Sequence, residues 1–314
     1  MITITVPQDY HQKKLDRFLK DKFPNLPMSA IYKALRKKDI RINGVKINEN
    51  ILLQTGDQLT IYIKDEILYG SFAGEDRSKD PIPIQIVYED QHLLLVNKQP
   101  GISVHPDKNE GEDTLIDVAT RYLQQKGEYK PEKPGSFAPA LCHRLDHYTG
   151  GIVIIAKTPE ALKIMLEKIK NREIKKYYQC IVKGCPSPRQ GELRHFLVKN
   201  EHKSQVYITD IPIKGSLTII TRYKVLSAGQ DISRVEVELV TGRTHQIRAH
   251  MAYIGHPILG DDKYGDRQFN RQFKAKYQAL WAYKIVFAFE DGGILNYLKG
   301  RTFETNDIKF NYKI

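Results

Sequence analysis

One carboxylate stands out for where it is placed. Asp146 lies in Cys142-His143-Arg144-Leu145-Asp146-His147-Tyr148-Thr149-Gly150-Gly151, a polar turn that feeds the apolar run 152–157. A carboxylate on a turn ahead of a buried strand is fixed by the scaffold and still reachable. Arg144, two residues earlier, can pair with a phosphate or with Asp146 itself. A second polar cluster, Thr241-Gly242-Arg243-Thr244-His245-Gln246-Ile247-Arg248, follows another strand. Two loop-borne clusters, both with arginine and only one with a carboxylate, suit an anionic substrate and one catalytic acid or nucleophile. On residue types alone, Asp146 reads equally well as a turn or N-cap residue tied to an arginine.

Other chemistries lack their parts. Neither G-x-G-x-x-G nor G-x-x-x-x-G-K-[ST] occurs, so dinucleotide and P-loop sites have no phosphate cradle. There is no G-x-S-x-G elbow. His143-x-x-x-His147 and His245-x-x-x-x-His250 have tolerable ligand spacing, but the first sits in a segment ending in Thr149-Gly150-Gly151, a poor place for a helix. With no H-E-x-x-H, local hydrogen bonding is the simpler role for these histidines, and no metal is expected.

The elements around these clusters alternate irregularly. Residues 85–88 and 93–97 read as strands about an Asp90-Gln91 turn, and 114–125 as a helix with Leu115, Val118, Ala119 and Tyr122 on its apolar side. The continuous run 152–157 predicts a strand buried on both faces. Residues 159–169 read as a helix. Strand 177–183 puts Tyr178, Cys180 and Val182 on one face, and Val235, Val237 and Leu239 alternate with charged residues before Thr241-Gly242. A helix with Ile247, Met251 and Ile254 on its apolar side should stop at Gly255. The mixture predicts an α+β domain around a large mixed or antiparallel sheet, over residues 81–314.

Ahead of it, residues 1–64 form a separate small α+β unit. Leu15, Phe18, Leu19 and Phe23 recur at helical spacing, and Ser29 is placed to cap a second helix with Ile31, Ala34 and Leu35 inside. Asn43-Gly44, between Ile42 and Val45, is a hairpin signal, and a last strand is expected over 58–63. The chain of 314 residues carries 49 Lys and Arg against 37 Asp and Glu, a net charge of +12. Residues 1–64 hold 12 of the basic and 6 of the acidic residues, half of the excess in about a fifth of the length. Lys33, Arg36 and Lys37 project together from the second helix, with Arg41 beyond its end, as a stripe that could track phosphates. The segment resembles the S4 RNA-binding domain in Lys14-Leu15-Asp16-Arg17-Phe18-Leu19, the 29–38 helix and Ile42-Asn43-Gly44. That resemblance implies binding to structured RNA, with Lys33, Arg36, Lys37, Arg41 and Asn43 as contacts. Residues 65–80, rich in Gly, Ser and Asp, read as a linker.

The motifs of the second domain resemble those of the RluA-type pseudouridine synthases. His143-Arg144-Leu145-Asp146-x-x-Thr149-x-Gly151 is similar to that family's active-site motif. Leu95-Val96-Asn97-Lys98-x-x-Gly101-x-x-x-His105-Pro106 is similar to its first motif. Arg172-Glu173-Ile174-Lys175-Lys176-Tyr177-Tyr178 matches the segment with its active-site tyrosine. Thr241 to His250, with Gly255-His256-Pro257-Ile258-x-Gly260-Asp261 and Tyr264-Gly265, matches the third. Four ordered motifs span residues 93–265. The chain departs from the pattern at Gly150, where serine is usual, at Gln99-Pro100, and at Trp281-Ala282, where His-Ala is expected. The tail beyond residue 291 is poorly covered.

The resemblance implies isomerisation of uridine to pseudouridine in RNA, ribosomal RNA first and transfer RNA second, on a flipped-out nucleotide. It implies Asp146 as nucleophile, Arg248 as its ion-pair partner, and Tyr178 stacked on the base near the proton transfers. Arg144, Ile247, Arg243, His143 and Lys98 complete the substrate-binding set. No redox change or group donor is involved, so no cofactor is expected. Two other classes compete. A non-catalytic RNA-binding protein would not need Asp146, and an S4-bearing methyltransferase would need a glycine-rich nucleotide loop, which is absent. No apolar run nears the ~20 residues of a membrane span, and the start lacks a signal-peptide pattern. With three cysteines and no C-x-x-C pair, the expectation is a reduced, cytoplasmic monomer.

Overall fold

The computed structural model describes residues 2–23, 26, 28–63, 68, 83–105, 113–133, 136–200, 205–310 and 312. The chain divides into two compact units, Met1–Asp80 and Pro81–Ile314.

In the first unit, strands β1 (Ile2–Thr5), β2 (Ile40–Ile42), β3 (Val45–Ile47) and β4 (Gln58–Ile61) form an antiparallel sheet in the order β1-β4-β2-β3. Helices Leu15–Lys22 and Met28–Lys37 pack against it. The residues predicted at helical spacing, Leu15, Phe18, Leu19, Phe23, Ile31 and Leu35, share one core with Ile40, Leu59 and Ile61. Asn43 and Gly44 both have positive φ, +50° and +82°, the backbone of a primed hairpin turn. The second helix starts at Met28, so Ser29 lies in its first turn and is not its cap. Leu68 is buried in the same core, so this unit runs past residue 64. The rest of the expected linker, 65–80, lies outside the described residues.

The basic stripe splits in two. Lys33, Arg36 and Lys37 are exposed on the helix. Arg41 is half-buried, its guanidinium 4.9 Å over the Tyr62 ring. The Asn43 side chain is exposed and hydrogen-bonded within the unit. It accepts from Gln58 N–H at 2.8 Å and donates to Asp57 at 2.9 Å, which fixes the turn.

The second unit is built on one large sheet. Its strands are β5 (Ile86–Glu89), β6 (Leu93–Lys98), β7 (Ala140–Leu141), β8 (Gly150–Ala156), β9 (Ile174–Lys183), β10 (Gln190–Asn200), β11 (Gln205–Thr209), β12 (Leu217–Ala228), β13 (Ile232–Leu239), β14 (Leu280–Phe287) and β15 (Thr302–Glu304). The order is β11-β10-β12-β13-β9-β14-β8-β6-β5, with β15 on β14 and β7 on β8. Among the described strands, β14 and β8 form the single parallel pair.

Both faces of the central strands are covered, as their unbroken apolar runs require. In β8, Val153 and Ile155 enter one core, with helix Leu115–Gln125, while Ile152, Ile154 and Ala156 enter another, with helix Pro159–Lys170. Burying each such side chain contributes about 1.5–3 kcal/mol. β9 begins at Ile174, earlier than the apolar alternation suggested, because its first residues pair with β14 up to Phe287. The tail joins this unit. Leu295, Leu298 and Phe303 are buried in the second of these cores, and β15 extends the sheet beside β14.

Candidate active site

The two polar clusters meet at the end of the central strands. The turn carrying Asp146 closes through Thr149 N–H on the Asp146 carbonyl, and Gln278 Nε2 donates to Thr149 Oγ at 2.6 Å. The chain then enters β8 through Gly151. Its φ is +118°, and a Cβ there would lie 2.2 Å from the Ala282 carbonyl oxygen, so only glycine lets β8 and β14 approach this closely.

Helix Gln246–Tyr253 supplies the other half. Apolar spacing predicts one buried side, but Gln246 to Met251 are all buried. The polar members are satisfied inside. Gln246 bonds Thr241 and Thr221, and His250 bonds Thr221 and His195. The helix starts from His245, whose φ of +54° is uncommon for a residue with a side chain.

Arg248 is the hub. Its NH1 donates to Asp146 Oδ2 at 3.0 Å. Its Nε and NH2 grip both oxygens of Asp261 at 2.6 and 2.9 Å, and NH2 also reaches Asp262 at 3.1 Å. Asp261 is fully buried, and one oxygen also accepts from Lys263 and Tyr264 N–H. The guanidinium lies 5.4 Å over the Tyr264 ring. Burial opposes the charge on Arg248, but Asp261 and Asp146 together hold its pKa above the ordinary value. Asp261 therefore fixes the guanidinium, and the third nitrogen is presented to Asp146. The Asp146 side chain stays 25% exposed, open to a ligand. His245 Nε2 lies 3.9 Å from the same carboxylate oxygen, with its other nitrogen on the Tyr264 hydroxyl.

Tyr178, Arg144, Ile247, Arg243 and His143 line one pocket with Asp146 and Arg248. Burial, and then the charge of Asp146, raise the Tyr178 pKa, so the phenol keeps its proton. His143 accepts from Ile154 N–H at 3.2 Å. Burial and the nearby Lys176 push its pKa down to about 3, which leaves a neutral ring.

Lys98 does not line this pocket. Its ammonium gives hydrogens to the carbonyls of Gln99, Ile102 and His147, at 3.0, 2.9 and 2.9 Å. This corrects its expected place in the substrate set: Lys98 ties the first motif to the turn that carries Asp146. Burial pushes its pKa toward about 7 against the pull of Asp146. Three carbonyl acceptors need all three hydrogens of the charged form, so the ammonium prevails.

Asp261, His245, Thr149 and Gln278 were not singled out as site residues. Asp261 sits in a recognised motif, but sequence spacing does not pair it with Arg248. Gln278 carries no sequence signal. Among the described residues, no group of three or more His, Cys, Asp and Glu is placed to hold a metal ion.

A family profile described as RNA pseudouridylate synthase matches residues 92–253, more than half of the chain, and with them Asp146, Tyr178 and Arg248. The chain belongs to the RNA pseudouridylate synthase family. The synthase converts uridine in RNA to pseudouridine. It is 31% identical to the ribosomal large subunit pseudouridine synthase C of Vibrio cholerae over 299 residues, 90% of this chain and 88% of that protein. It is also 31% identical to the protein of the same name from Escherichia coli, over 86% of this chain and 81% of that one. The structure of human RNA pseudouridylate synthase domain containing 4 superposes with a TM-score of 0.57 over 71% of this chain and 88% of that one, at 22% identity, a likeness of fold.

Proposed function

We propose that this synthase modifies uridines of large-subunit ribosomal RNA, with Asp146 as its nucleophile. The observation that carries the mechanism is the pocket carboxylate fixed by Arg248, with a neutral phenol lining the same pocket. Relatives named for the large ribosomal subunit support the choice of RNA.

The reaction is an isomerisation. The N1–C1′ bond breaks, a C5–C1′ bond forms, C5 loses a proton and N1 gains one. No electrons leave or enter, so the reading requires no redox cofactor. The uridine must first leave the RNA stack, at a cost of a few kcal/mol. In this reading Tyr178 and Ile247 hold the flipped base, and Arg144 and Arg243 hold the neighbouring backbone. Asp146 then bonds to carbon, on either ribose or base, and both routes need the ionised carboxylate. Arg248 donates to that carboxylate and holds it in place. A protonated Tyr178 gives the base an apolar face and a hydroxyl beside the moving protons. The first unit, read as S4-like, adds affinity for structured RNA through Lys33, Arg36 and Lys37. A cytoplasmic monomer remains part of this reading.

The test is to map pseudouridine in total RNA from cells with and without the gene. Loss of signal at large-subunit ribosomal positions alone is the expected result. Loss confined to transfer RNA would overturn the ribosomal assignment and leave the chemistry standing.

A further inference from the structure

Lys176 lines the same pocket, on β9 two residues before Tyr178. Residues two apart on a strand share a face, about 6.6 Å from each other. The two side chains thus enter from one wall. The Lys176 ammonium reaches toward the loop of the second cluster, 3.6 Å from where a Cβ on Gly242 would sit.

Its surroundings differ from those of Lys98 and Lys157. Lys98 has three carbonyl partners, and Lys157 has the carboxylates of Glu89 and Glu128. Among the described residues Lys176 has no hydrogen-bond or ion-pair partner. Burial lowers its pKa, and no protein charge offsets that. A partly desolvated ammonium with no counter-charge is unfavourable. Such a group is stabilised once a ligand brings the anion.

We propose that Lys176 binds a phosphodiester of the RNA, next to the flipped uridine. This rests on the pocket being the uridine site. Two observations choose phosphate over the base. Uracil is neutral until its bond to ribose breaks, whereas the phosphate is charged throughout. The Lys176 ammonium sits beside Gly242, next to Arg243 in the second polar cluster. That puts it beside Arg243, which this reading assigns to the RNA backbone.

The test uses the full-length protein and a synthetic RNA fragment containing the uridine that mapping identifies. Lys176→Met should weaken RNA binding about tenfold or more. It should also lower the slope of log affinity against log salt by about one. At saturating RNA, kcat should stay within about twofold. Lys176→Arg should restore affinity and slope. A neutral methylphosphonate beside the uridine should weaken binding to the native protein and not to Lys176→Met, and its first half needs no variant to fold. Native affinity and slope in Lys176→Met, or a large fall in kcat with the slope unchanged, would overturn the proposal. Equal sensitivity of both proteins to the methylphosphonate would do so too. Pseudouridine made by Asp146→Asn would instead refute the underlying reading of the pocket.

Discussion

Trp281 occupies the space that a side chain on Gly150 would need. The two residues are register partners across the parallel pair β14 and β8, and a Cβ on Gly150 would sit 2.5 Å from two carbons of the buried indole. Both positions depart from the pattern this chain otherwise follows, which has serine and histidine there. The structure makes them one exchange: bulk lost on β8 is bulk gained on β14. The indole N–H donates to Asn97 at 3.2 Å, so the larger ring is also anchored to β6.

Gly150→Ser alone should therefore destabilise the protein by about 1–3 kcal/mol, through overpacking beside a ring with nowhere to move. Gly150→Ser combined with Trp281→His should cost less than the sum of the single changes. A double-mutant cycle by thermal or urea unfolding measures the coupling. Strict additivity would show that the positions are independent.

The ion-pair hub predicts unequal effects from its three carboxylates. Asp261→Asn should slow single-turnover pseudouridine formation at least tenfold, although Asp261 lies behind Arg248, because the guanidinium loses its fixed grip. Asp262 is 67% exposed, and Asp262→Ala should change stability and rate little. Arg248→Ala should cost about 3–5 kcal/mol of stability by leaving Asp261 buried and unpaired, and Arg248→Lys should rescue poorly. Single-turnover rates and unfolding curves on the four variants decide the matter. A native rate in Asp261→Asn would remove Asp261 from the positioning of Arg248.

Much of this architecture was legible because its signals are local. Helical spacing of Leu15, Phe18 and Leu19, the Asn43-Gly44 turn and the apolar run of β8 each depend on neighbours in sequence. Asp146 and Arg248 lie 102 positions apart, and their pairing was expected from motif order alone. What stayed hidden was non-local. The hydrogen bonds of the Asn43 side chain to Asp57 and Gln58 show only once the chain folds back. Lys98 looks like a ligand contact until three carbonyls converge on it. Arg248 could be placed on a helix by spacing, but no pattern in its helix shows that the polar side would be as buried as the apolar one.

The exposed stripe of the first unit predicts a change in affinity without a change in chemistry. Reversing Lys33, Arg36 and Lys37 to glutamate should weaken RNA binding and flatten its salt dependence. kcat at saturating RNA should hold, because the pocket residues all lie in the second unit. Binding and turnover at several salt concentrations check this. Unchanged affinity and slope would mark the stripe as a solvated face only.

His250 predicts a pH dependence of stability. Burial first, and the neighbouring His195 second, push its pKa down to about 3, while an unfolded histidine titrates near 6.5. As pH falls through that window the unfolded chain takes up a proton that folded His250 refuses. The stability is thus whole above about 6.5 and is lost on acidification toward 3, by up to about 1.4 kcal/mol per pH unit. His250→Gln should lower stability at neutral pH and flatten the decline between pH 7 and 5 in urea unfolding. An equally steep decline in the variant would assign the effect to other groups.

The central claim is that Asp146 is the nucleophile, and Asp146→Asn tests it most directly. The change keeps the shape of the side chain and its place beside Arg248, but an amide cannot bond to the ribose or base carbon as a carboxylate can. RNA binding and pseudouridine formation should be measured on one preparation with the same RNA. The account predicts affinity within a few-fold of native and no pseudouridine at any RNA concentration. Pseudouridine formed at a measurable rate by Asp146→Asn would contradict it.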